Sequence, residues 1–68
     1  MNATQAQQIA EKAIETVNSS SDYEYVVPFV TLDVWSDKFG YSVSYNGNEV
    51  GGLNRASAIS LIVKQLLS

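Results

Sequence analysis

The chain has 68 residues, with 4 Lys plus Arg against 7 Asp plus Glu, a net charge of −3, and neither His nor Cys. A chain of this length makes one small domain, with a stability of only a few to about 10 kcal/mol. Lacking imidazole and thiol, it offers no histidine base, no thiolate nucleophile and no ordinary zinc or iron–sulfur site. The negative charge sets it against phosphate backbones and anionic lipid, and a hydrophobic content of 46% with 16% charged residues is that of a folding globule.

The opening Met1-Asn2-Ala3-Thr4-Gln5 shows no basic or apolar leader pattern, and apolar runs such as Leu61-Ile62-Val63 are too short to cross a bilayer. The expectation is a soluble cytoplasmic domain with no membrane partner. Residues 4–18 predict an amphipathic helix, because Ala3, Ala6, Ile9, Ala10, Ala13, Ile14 and Val17 fall on one arc of about 140°. Gln8, Glu11, Lys12 and Glu15 take the opposite side. Thr4-Gln5-Ala6-Gln7 has capping-box spacing and sets the expected helix start. Ser19-Ser20-Ser21-Asp22 is polar and competes for backbone hydrogen bonds, so it predicts a loop.

From Tyr23 to Trp35 the β-branched and aromatic content predicts one long strand, with Val30, Leu32 and Val34 on one face and Thr31, Asp33 and Trp35 on the other. Pro28 cannot donate to a ladder, which places this strand at an edge or a bulge. Ser36-Asp37-Lys38 forms the turn, and Phe39–Tyr45 forms the next strand with Tyr41, Val43 and Tyr45 on one face. A register that puts like on like pairs Val34 with Tyr41, Leu32 with Val43 and Val30 with Tyr45, and lays Trp35 across Gly40. Asn46-Gly47 signals a type I′ hairpin into a third strand, Asn48–Gly52, which pairs Val43 with Val50 and Ser44 with Glu49. Asn54 is a good N-cap for a second helix over 55–67. Its broad apolar face holds Ala56, Ile59, Ile62, Val63, Leu66 and Leu67, with Leu61 left off the stripe.

The expected fold is therefore α+β in the order α-β-β-β-α, a three-stranded antiparallel meander with two helices packed on one face and a single domain over residues 1–68. Little in it suggests catalysis. Asp33 and Glu49 share the outer face but lie on the two outer strands, with Ser42 and Ser44 between them, as solvated charges rather than a converging acid–base pair. There is no calcium-loop spacing, and Val50-Gly51-Gly52-Leu53 matches no phosphate-binding pattern. No enzyme activity, cofactor or metal is expected.

The order of elements, the length and the Gly51-Gly52 lead into the last helix resemble the double-stranded-RNA-binding domain. The resemblance spans the whole chain as an order of elements. Members of that family bind duplex RNA with a basic cluster at the start of the last helix and a Pro/His loop between the first two strands. Here the helix opens Asn54-Arg55-Ala56-Ser57 with one cation, and the hairpin is only Ser36-Asp37-Lys38. Nucleic acid is accordingly disfavoured as a partner, and a charge-poor RNA-binding domain is the third reading.

The outer face of the sheet is the expected working surface: Phe29, Thr31, Asp33, Trp35, Ser42, Ser44 and Glu49, with Asp37 at the turn. Trp35 and Phe29 would serve as apolar anchors, and Asp33, Asp37 and Glu49 as acidic complements to a basic protein partner. In size and charge the chain resembles the small inhibitors that phages encode against host or defence proteins, which implies a basic or nucleic-acid-binding surface as target. The second reading is a self-assembling structural module. A long first strand would present unpaired backbone at Tyr23, Tyr25 and Val27, and a symmetric homodimer would cover it.

Overall fold

Asn2, two residues ahead of the expected cap, starts the first helix. In a computed structural model, which describes residues 1–19, 25–26 and 30–68, the Asn2 side chain accepts from the Gln5 amide at 2.8 Å and the Gln5 side chain accepts from the Asn2 amide at 3.1 Å. That reciprocal pair is a capping box, shifted from Thr4 and Gln7 because amide side chains fill both roles earlier in the chain. Helix α1 runs Ala3–Ser19. Ala6, Ala10, Ala13, Ile14 and Val17 are completely buried and Ile9 is half-buried, whereas Ala3, one turn before this stripe, is exposed.

The predicted meander is present as β2 (Leu32–Asp37), β3 (Gly40–Tyr45) and β4 (Asn48–Leu53). Both helices pack on one of its faces, α1 over β2 and α2 (Arg55–Leu67) over β3 and β4. The α-β-β-β-α order and the α+β class stand as expected. The long first strand does not. Its early part forms a separate strand, β1 (Tyr25–Val26), which pairs antiparallel onto β2 through Tyr25 with Val34 and Val26 with Asp33. The sheet order is thus β1-β2-β3-β4. Leu32–Trp35 is not an edge extended by Tyr25, because the chain folds back and covers β2 at positions 33 and 34. Pro28 lies outside the described residues.

The β2–β3 register differs from the expected one by two residues. Leu32 faces Tyr45, Val34 faces Val43, Trp35 faces Ser42 and Asp37 faces Gly40. The turn is centred on Lys38-Phe39, since the Asp37 side chain accepts from the Phe39 amide at 2.9 Å and Gly40 takes a φ of +125° that other residues avoid. Its bare Cα also lets the next strand approach: a Cβ there would lie 2.6 Å from the Leu53 carbonyl oxygen. A shift of two residues returns every side chain to the same face, so Leu32, Val34, Tyr41, Val43 and Tyr45 still point toward the helices. Val30, expected opposite Tyr45, precedes β2 and is 40% exposed.

The second hairpin matches its expected register, with Val43 facing Val50 and Ser44 facing Glu49. Asn46 and Gly47 both take positive φ, at 47° and 81°, as a type I′ turn requires. Beyond Val50 the ladder shifts so that Tyr41 faces Leu53. Gly51 and Gly52 stand opposite Ser42 as a bulge, and β4 extends one residue past the expected end.

Helix α2 begins where expected, with the Asn54 side chain accepting from the Ser57 amide at 2.8 Å. Of its expected stripe, Ile59, Ile62, Val63 and Leu66 pack in or against the core, and the stripe widens on one side and narrows at its ends. Ala58, Ile62 and Leu66 are buried and Leu61 is half-buried against the core, while Ala56 is exposed and Leu67 is 46% exposed. The cause is that α2 lies against α1 as well as the sheet, so two apolar partners draw in residues that a single-faced wheel leaves out. Tyr41 links the layers, its hydroxyl donating to the Asn18 side-chain oxygen at 2.6 Å.

Candidate functional site

Alternation along β2 and β3 turns Asp33, Trp35, Ser42 and Ser44 to the face opposite the helices. The cross-strand register then arranges them in rows. Val26, Asp33, Ser44 and Glu49 form one row across all four strands, and Trp35 and Ser42 form the next. Asp37 closes the hairpin beside them. This places most of the predicted surface residues together. Thr31, Asp37 and Glu49 are exposed, while Asp33, Trp35 and Ser44 are half-buried.

Ser42 departs from the expectation of an open position, being only 3% exposed. It faces Trp35 across the ladder and stands opposite the Gly51-Gly52 bulge, where a Cβ on Gly51 would lie 3.1 Å from its hydroxyl oxygen. The absence of a side chain at Gly51 leaves room for that hydroxyl. Phe29, Tyr23 and Val27 lie outside the described residues, and Tyr25 is placed in β1.

The helix layer carries charges of both signs and the outer sheet face carries described carboxylates alone. The described outer face carries the carboxylates of Asp33, Asp37 and Glu49 and no Lys or Arg. Lys12, Arg55 and Lys64 are all exposed on the helices, and so are Glu11 and Glu15. Lys38 occupies the hairpin turn, its ammonium 5.1 Å from the centroid of the Phe39 ring. No group of three or more His, Cys, Asp or Glu side chains gathers as a metal site among the described residues. A carboxylate row on a sheet with Trp35 beside it can receive cationic side chains and stack against an apolar or guanidinium group.

Two exposed apolar residues escaped the sequence reading. Phe39, expected to open the second strand, is 72% exposed in the turn, and Val26 is 62% exposed on the outer face. The signal for Phe39 was Asp37 followed by Gly40, a pair that brackets two turn residues. Val26 had no signal, because its side of the sheet depends on the fold-back.

Open clefts lie elsewhere. One of about 330 Å³ involves Thr31, Leu32, Tyr45, Asn46, Gln65 and Ser68, and another of about 450 Å³ sits between the helices at Gln7, Arg55, Ala56, Ile59 and Ser60. Neither brings an acid and a base together. No described helix is long and apolar enough to cross a membrane. Comparison with protein-family models, with curated proteins and with solved structures finds no match to this chain.

Proposed function

We propose that the chain is a small, non-catalytic protein-interaction module that presents the outer face of its sheet to a basic surface on a protein partner. The observation that supports this reading is an outer sheet face whose described charged residues are all acidic. Asp33 and Asp37 flank Trp35 along β2 and Glu49 stands two strands away on the same face, which carries no described cation, while Lys12, Arg55 and Lys64 lie on the helices together with Glu11 and Glu15. Such a face has the acidic rim and aromatic centre of a binding patch. Opposite charge also raises the rate of encounter with a basic target. The action is occlusion in the cytoplasm: the module covers a surface that would otherwise bind polyanions, in the manner of the small phage inhibitors it resembles in size and charge.

Affinity capture with wild-type, Trp35→Ala and Asp33→Lys baits tests this reading. A basic protein retained by the wild type and lost by at least tenfold with either variant supports it. Identical captured sets from all three, with the variants shown to be folded by circular dichroism, contradict it.

A further inference from the structure

The acidic row does not stop at a covered strand. It ends at Glu49 on β4, which pairs only with β3 among the described strands. The two-residue turn hydrogen-bonds Tyr45 to Asn48, and antiparallel pairs alternate, so the next pair, Ser44 with Glu49, is a non-bonded one. The amide and carbonyl of Glu49 therefore point away from β3, toward the open side of the sheet. Asn48 and Glu49 are exposed and Val50 is half-buried. Gly51 and Gly52 beyond them carry no side chains to obstruct an approaching backbone.

We infer that β4 accepts an extended basic segment of a partner protein as a fifth, antiparallel strand. This rests on the proposed acidic face and adds the mode of engagement. A residue opposite Glu49 would exchange both backbone hydrogen bonds with it, and its side chain would stand on the outer face, next in the row Asp33-Ser44-Glu49. Charge complementarity makes that residue Lys or Arg. The neighbouring residues of the segment would turn toward the helix side beside Val50, where apolar side chains are suited. The recognised chemistry is thus an alternation of basic and apolar residues in extended conformation. A second copy of β4 fits less well, since it brings another Glu49 to a sheet edge that is already acidic.

Fluorescence anisotropy with a labelled, end-blocked peptide of four Lys-Val repeats tests the inference against the full chain at low salt. The expected result is saturable binding that falls at least tenfold when the lysine amides are N-methylated and changes little when the valine amides are, because only the lysine amides would face β4. Glu49→Lys should weaken the unmodified peptide about tenfold. Equal binding of the lysine-methylated peptide would overturn strand addition and leave the face itself as the site. Absence of binding by any peptide at millimolar concentration, or a concentration-dependent homodimer that saturating peptide leaves intact, would also overturn it. A failure confined to these peptides leaves the bait comparison at Trp35 and Asp33 to judge the broader reading.

Discussion

Gly40 is the residue on which the first hairpin depends. Its φ of +125° and the 2.6 Å from a built Cβ to the Leu53 oxygen are separate obstacles to any side chain. Gly40→Ala should cost roughly 2 kcal/mol or more, since backbone strain alone amounts to about 1–3 kcal/mol and the clash is with backbone that cannot step aside. Gly47→Ala meets nothing within 4 Å at φ +81°, so its cost should stay near 1 kcal/mol. Urea denaturation of both variants checks the ordering. At the helix start, Asn2→Ala should lose about 1 kcal/mol, whereas Thr4→Ala should change stability by less than about 0.5 kcal/mol. The opposite ranking would restore Thr4 as the cap.

At the scale of elements, what was legible in the sequence was what local chemistry alone decides. Asn54 ahead of a helix and Asn46-Gly47 between strands need only their own neighbours, and both lie where expected. The first hairpin was legible in its faces but not its register, because two-residue shifts preserve the apolar pattern, and the local signal that separates them, Asp37 and Gly40 bracketing Lys38-Phe39, was outweighed by matching like with like. Tyr23–Trp35 read as one strand because nothing local distinguishes a long extended run from a fold-back that pairs Tyr25 with Val34. The α2 stripe was read in four of its six residues, with Ala58 and Leu61 missed because α2 packs against α1 as well as the sheet. Alternation put Asp33, Trp35, Ser42, Ser44 and Glu49 on one side of the sheet, as the ladder has them, but gave no sign that Ser42 is buried or that Val26 joins them. Tyr41 joins two elements through Asn18 at 2.6 Å. Tyr41→Phe should therefore cost about 1 kcal/mol and speed hydrogen exchange at the C-terminal end of α1 more than in α2.

For the whole molecule, a core of Ala and medium-sized aliphatic side chains leaves little reserve. Ile62 is completely buried, so Ile62→Ala should lose about 2–5 kcal/mol, a large share of the total stability of a domain this small. Thermal unfolding followed by circular dichroism measures that loss. The net charge of −3 is not spread evenly. The described helices mix three cations with two carboxylates, whereas the outer face of the sheet carries carboxylates and holds the aromatic anchor. Trp35 is also the single tryptophan of the chain, so the proposed surface carries its own probe. The most direct measurement of the central claim is an amide and indole chemical-shift footprint of the isotope-labelled protein, titrated with the partner that the wild-type bait retains. The largest shifts should fall on the Trp35 indole, Asp33, Ser44 and Glu49, with Gln8, Lys12 and Lys64 undisturbed. A footprint centred on those helix residues, with Trp35 unmoved, would contradict the account.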